Sequence, residues 1–317
     1  VGPHLKNAGD KTMPISLFPV TPQFACETGE IDLSQPLSEA DLAAVRTAFA
    51  KYAVLVFPAQ KLSGDMHLDL ARHFGNLETN VLAKLGVKMR VREEIADVAN
   101  MDANGRVWDK DSRVRLFQMG NRLWHTDSSF KAPTAYASML YARSIPPIGG
   151  HTEFADLRAA YGALPAAMKK RIEGLIAHHS LMYSRAKLGF TEFNEAERDS
   201  FAPVRRPIVR TIRETGQKSL YLASHIGRIE GMPDDEAADL LRELTEFATQ
   251  RQFVYTHRWR VDERGGDLVM WDNRCTMHRG TEFEDTRWPR DMQRATTSDA
   301  PDAFGVMEQE RAVSVEY

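Results

Sequence analysis

The apolar stretches of this chain are short. Segments 53–57, 208–212, 219–223, 253–259 and 267–271 stop within a few residues at Gly, Pro, Asn, Asp or a charged residue, and 134–145 alternates before ending at Pro146. Such lengths and such punctuation belong to strands. Four segments carry helical spacing instead. One, 38–52, opens on Ser38 with Asp41 three residues later and places Leu42, Val45 and Phe49 on one face. The others are 63–74, stopping near Gly75, 157–175, interrupted at Pro165, and 233–249. Short strands with helices at their ends and on one side point to an α+β protein built on a β-sandwich or jelly roll. Pro58 should end the strand at 53–57, Gly149-Gly150 should turn the chain into a strand at 151–155, and Asn104-Gly105 should close a hairpin after a strand at 96–100. The polar segments 84–94 and 109–115 read as mobile connections of the kind that serve as lids.

A chain of 317 residues, 43% apolar and 27% charged, can bury a sizeable core. We read one domain over 13–299, with 1–12 as a leader left by expression and 300–317 as a weakly patterned tail that packs on a partner or stays free. A net charge of −3 offers no footprint for nucleic acid or an anionic membrane, and the basic group at 84–92 runs straight into Glu93-Glu94, as a solvated face does. Two cysteines far apart imply a reducing compartment without a disulfide framework. With no apolar run of about 18 residues and no signal-like start, the expected location is the cytoplasm.

The chemistry is concentrated in Trp124-His125-Thr126-Asp127 and Cys275-Thr276-Met277-His278. Two imidazoles and one carboxylate are the ligand set of a non-haem Fe(II) site with open positions. If the first segment is a strand, His125 and Asp127 project from the same face and can share one ion. The strand at 267–271 should run into the turn Asp272-Asn273-Arg274 and deliver His278, while Arg290, Met292 and Arg294 form the inward face of a returning strand. Two guanidiniums beside a metal imply an acidic small molecule. A His-x-Asp pair alone is equally a buried histidine with its hydrogen-bonded acid. The same ligands also suit a zinc hydrolase, although its helical His-Glu-x-x-His signature is absent, and a non-catalytic small-molecule-binding jelly roll stays open. His151, His178, His179, His225 and His257 lack ligand spacing and can at most shape a pocket.

Three separated segments, in order, carry a family resemblance: Asn121-Arg122-Leu123-Trp124-His125-Thr126-Asp127-Ser128-Ser129-Phe130, then Gly149-Gly150-His151-Thr152-Glu153-Phe154, then Gly266 through Gly280 to Thr297. From about 31 to 299 the chain resembles the taurine and 2,4-dichlorophenoxyacetate dioxygenases, and most of all the second branch. The resemblance implies a double-stranded β-helix, or jelly roll, with flanking helices. It implies Fe(II) held by His125, Asp127 and His278, and 2-oxoglutarate and O2 as co-substrates. It further implies Thr152 and Arg290 on the distal carboxylate of 2-oxoglutarate, with Arg294 and Asn121 on an acidic substrate. The expected reaction hydroxylates an aryloxyacetate beside the ether oxygen and releases a phenol, glyoxylate, succinate and CO2; another carboxylate or a sulfonate would suit the same mechanism. A homo-oligomer is a further expectation from such relatives. The chain departs from that branch by a small insertion at 262–266 and a longer connection at 281–289.

Overall fold

The structure, a computed structural model, describes residues 15–29, 31–80 and 90–300. The expected leader at 1–12, part of the connection at 84–94 and nearly all of the tail at 300–317 lie outside the described residues.

An eight-stranded sheet forms the centre. It runs β1 (Ser16–Pro19), β2 (Cys26–Gly29), β3 (Val54–Gln60), β14 (Gly265–Asp272), β5 (Ala135–Ser144), β16 (Asp291–Ser298) and β4 (Ile95–Asp97), with β13 (Val261–Asp262) paired off the path to β14. A three-stranded sheet of β12 (Val254–His257), β6 (Thr152–Asp156) and β15 (Thr276–Gly280) lies against it. Side-chain alternation explains how one sheet serves two cores. Leu55, Phe57, Met139, Tyr141, Leu268 and Met270 point to one face and pack with Val45, Phe49 and Leu68 of the helices Glu39–Tyr52 and Gly64–Arg72. Val54, Val56, Leu140, Val269 and Trp271 point to the other and meet Phe154 of β6. The outer face of β6 and β15, through Ala155 and Met277, packs on Leu240 and Leu244 of the helix Asp234–Ala248. Helices therefore cover both outer surfaces.

Most boundaries follow the sequence pattern. Ser38 and Ser63 cap their helices through the amides of Asp41 and Met66, and Pro165 separates the helices Leu157–Ala163 and Ala166–Ile172. The insertion at 262–266 is the turn joining β13 to β14. Three expectations need correction. Pro58 does not end β3, because it sits where the β3–β14 ladder slips between Phe57 and Gln60, and the missing amide is tolerated at that irregularity. Residues 109–115 are not a loose connection: Ser112 caps the helix Arg113–Gln118, which runs on as a 3-10 turn to Arg122 and is tied down by the Arg115–Asp285 ion pair. The segment around His125 is no strand either. His125 makes one isolated bridge to His278, after which the chain turns away.

β9 (Val209–Thr211) and β10 (Lys218–Leu220) pair where the sequence pattern expects strands, but that pattern missed a second three-stranded sheet, β11 (Ile226–Ile229), β7 (Ile176–His179) and β8 (Val204–Pro207). Strands of four residues bearing His-His and Arg-Arg give no clear apolar alternation. No helix among the described residues is long and apolar enough to cross a membrane.

Candidate functional site

His278 stands on β15 in register with Phe154, and its ring lies 4.6 Å from that of Trp271 and 6.0 Å from that of Phe154. Those two rings fix its direction. His125 is brought alongside by backbone pairing: its amide donates to the His278 carbonyl at 3.0 Å and its carbonyl accepts from the His278 amide at 2.8 Å. Asp127 follows within a turn that Asn273 holds. The Asn273 Oδ1 accepts from the Asp127 amide and from the Trp271 indole, both at 3.1 Å. The Asn273 Nδ2 donates to Ser138 Oγ at 2.9 Å, and that hydroxyl donates to Asp127 Oδ2 at 2.8 Å. The sequence reading named Asn273 only as a turn residue; its place between two strands is what makes it a support for the ligand.

The three side chains are buried and are the one group of three or more His, Cys, Asp or Glu among the described residues able to surround an ion. Each histidine Nε2 lies 3.7 Å from a different oxygen of Asp127. Neighbouring ligands of one ion, with bonds of about 2.1 Å, stand roughly 3 Å apart, so a modest contraction would close the set. His125 Nδ1 lies 2.7 Å from the Leu123 carbonyl, which sets the tautomer and leaves Nε2 to bind. His278 Nδ1 is buried with no partner among the described residues. Burial drives both imidazoles below the ordinary histidine range, toward the neutral form a metal needs. Burial alone would raise Asp127, but Arg294 beside it holds its carboxyl below the usual carboxylate range. The residues fit a divalent cation bound on one face.

His125 and Asp127 of the triad open onto a cleft whose walls include Phe117, Asn121, Phe130, Phe201, His225 and Arg294. A second, smaller cavity adjoins it through Val98, Gln118 and Asn121, and holds Arg290. The two arginines named from sequence are in different states. Arg294 forms an ion pair with Asp127 at 2.6 Å. Arg290 is buried, with the Gly150 carbonyl at 3.3 Å as the one hydrogen-bond partner of its guanidinium among the described residues, and burial brings it down to about 10. Thr152 is two residues beyond Gly150; its hydroxyl accepts from the Trp259 indole at 3.0 Å. The turn that places both depends on glycine, since a Cβ at Gly149 would collide with the Glu282 carbonyl. Asn121 lines both cavities and so stands between them.

The remaining histidines separate into two groups. His225 lines the cleft, its ring 5.9 Å from that of His125. His178, His179 and His257 pair with Glu230, Ser129 and Asp267 and do not line the cleft. Sequence reasoning missed Arg185, a buried cation on the cleft wall, because nothing in Ser184-Arg185-Ala186 distinguishes it from a helix-surface arginine.

Residues 16–296 match the model of the taurine catabolism dioxygenase TauD, TfdA family. The chain belongs to that family. It is 43% identical over 288 residues, 90% of this chain and 99% of the relative, to an alpha-ketoglutarate-dependent 2,4-dichlorophenoxyacetate dioxygenase of Cupriavidus pinatubonensis. It is 36% identical, over 79% of this chain and 84% of the relative, to an (S)-phenoxypropionate/alpha-ketoglutarate-dioxygenase of Sphingobium herbicidovorans. Among solved structures it is similar to AAD-2 in complex with Mn(II) and N-oxalylglycine, with a TM-score of 0.86 and 43% identity over 91% of this chain and 99% of that one. Membership of a dioxygenase family sets the triad apart from the zinc hydrolase and non-catalytic readings.

Proposed function

We propose that this metal- and 2-oxoglutarate-dependent dioxygenase hydroxylates an aryloxyacetate, of which 2,4-dichlorophenoxyacetate is the model, at the carbon between ether and carboxylate. The observation that carries the reading is the buried His125–Asp127–His278 cluster at the base of a cleft with aromatic walls, in a chain that matches such a dioxygenase over nearly its whole length. We read residues 13–299 as one catalytic domain with a double-stranded β-helix at its centre, working in the cytoplasm.

His125, Asp127 and His278 would hold Fe(II) and leave its other face to small molecules. When bound, that ion couples decarboxylation of 2-oxoglutarate by O2 to removal of a hydrogen atom from a nearby C–H bond. The chain's own part is placement and charge. Arg290 has no carboxylate partner among the described residues, which suits it to the distal carboxylate of 2-oxoglutarate, with the Thr152 hydroxyl as a second contact. N-oxalylglycine keeps the same oxalyl and carboxylate ends, so its presence in AAD-2 supports this reading. Arg294 balances the charge of Asp127 and, with Asn121, borders the space where the substrate acid would sit. Phe117, Phe130 and Phe201 would receive the ring. Insertion of one oxygen atom turns the ether carbon into a hemiacetal, and loss of the aryl oxygen as a phenol leaves glyoxylate. The other oxygen atom goes to succinate, with release of CO2.

The test is anaerobic loading with Fe(II) and 2-oxoglutarate, followed by air, across aryloxyacetates, aryloxypropionates, alkyl sulfonates and plain aromatic acids, with succinate and phenol both measured. Equimolar phenol and succinate from aryloxyacetates is the expected result. Coupled succinate from the sulfonates alone would move the enzyme to the other side of its family.

A further inference from the structure

The charged residues on the cleft wall balance one another, with a single exception. Lys131 meets Glu78 at 2.6 Å, Asp97 meets Arg90 at 2.6 Å, Glu94 meets Arg92 at 3.5 Å and Asp127 meets Arg294 at 2.6 Å. Arg185 alone among the cleft-lining cations has no carboxylate partner among the described residues. Its side chain is 6% exposed, its Nη1 donates to Ser184 Oγ at 2.9 Å, and its Nε is buried with no acceptor. A buried guanidinium left without an anion is costly, and here burial is the only influence on its acidity, which is drawn down to about 10.

Its placement is specific. The guanidinium lies 4.5 Å over the ring of Phe117 and presses on the backbone of Gly120, where any Cβ would overlap it. Glycine at 120 therefore makes room for this cation. Ser184 Oγ is also within 2.9 Å of His225 Nδ1, and the His225 ring stands 5.9 Å from that of the ligand His125. Arg185 thus reaches the cleft beside the triad, on an aromatic wall, with one donor edge free.

We propose that Arg185 is a specificity-determining residue that supplies the counter-charge for the carboxylate of the primary substrate. The inference rests on the aryloxyacetate reading above and refines it. The charge of Arg294 is already matched by Asp127, so Arg294 contributes a hydrogen-bond donor, its own Nε lacking a partner, while Arg185 contributes the net positive charge. A substrate held this way carries one anionic end and an apolar body, because Arg185 lies over Phe117 and the cleft it shares is also lined by Leu181, Phe130 and Phe201.

The test uses the full-length enzyme and its R185M, R185K and R294M variants, with melting curves to verify folding. R185M should raise KM for 2,4-dichlorophenoxyacetate by about 30-fold or more, while KM for 2-oxoglutarate moves less than about twofold. R185K should recover part of the loss, and preference for the acid over 2,4-dichloroanisole, which lacks the carboxylate, should collapse in R185M. Anaerobic calorimetry of the same acid binding to the enzyme with Fe(II) and 2-oxoglutarate gives a readout independent of turnover and should show the same loss of affinity. If R185M fails to fold, R185K and R185Q in the same calorimetry decide the matter. A folded R185M with wild-type KM and wild-type affinity for the acid overturns the inference and leaves the reaction standing. A wild-type enzyme that turns over no aryloxyacetate overturns the reading beneath it.

Discussion

His278 stands on a strand locked in register with β6 and wedged between Phe154 and Trp271, whereas Phe117 and Arg185, across the cleft, stand on helices of only six residues each. The first wall is held by ladder hydrogen bonds and by the Asn273–Ser138–Asp127 chain, all buried. The second is held by side chains: Arg115 and Arg122 on Asp285, Arg113 on Glu197, and ring edges among Phe117, Phe190 and Phe193. A register cannot shift without moving every side chain on the strand, while a side-chain contact can be exchanged one residue at a time. On the proposed reading, this difference would put the shared chemistry on the sheet and the choice of substrate on the short helices.

The comparison can be broken at the sheet wall first. Asp127→Asn removes the one anionic ligand and leaves Arg294 facing a neutral amide; turnover should fall by more than about 10³-fold, and metal titration should show the ion lost. Retained turnover would remove the triad from the reaction. Arg290→Met should come next, raising KM for 2-oxoglutarate by about 10²-fold while affinity for the metal alone is kept. Ser138→Ala takes away the hydroxyl that orients Asp127 and should weaken metal binding by roughly tenfold, measured by competition with a chelator.

On the opposite wall the effects should be smaller and confined to the substrate. Arg115→Ala cuts the double hydrogen bond to Asp285 and should lower stability by about 1–2 kcal/mol and raise KM for the aryl acid a few-fold, with metal affinity constant. A fall in metal affinity equal to that of Ser138→Ala would show that the two walls are not separate. The last prediction concerns a group outside both. His67, buried under the large sheet with Nε2 3.0 Å from the Met139 carbonyl, is lowered by burial from the ordinary 6.5 to about 4. The unfolded chain takes up this proton first, so the stability that His67 supports is intact above about 6.5 and is lost as pH falls toward 4. His67→Gln should flatten that acid limb by about 2–3 kcal/mol in denaturant titrations and leave turnover at neutral pH unaltered.

Strands such as β5 and β14, four helices and the ligand set were legible in the linear pattern because each rests on local rules: alternation for those strands, a serine cap for the helix Glu39–Tyr52, and the right residue types at His125, Asp127 and His278; the edge strands β1 and β2 were not. The β7–β8–β11 sheet was not, since its strands are short and carry charged side chains whose burial comes from distant contacts. Nor was the ordered helix Arg113–Gln118, which looks polar and loose until Asp285 and Glu197 arrive from far along the chain.

By itself the sequence determined that an iron-type ligand set, two arginines and a strand-rich scaffold occur together, because residue chemistry and short-range periodicity are properties of neighbours. Only the tertiary structure decided that His125 meets His278 by a single backbone bridge, that Arg294 is already paired with Asp127, and that Arg185 has no anion among the described residues. Those are facts about charge and hydrogen-bond balance in a buried space. Such a balance depends on which distant groups share that space, and this is settled only when the chain has folded.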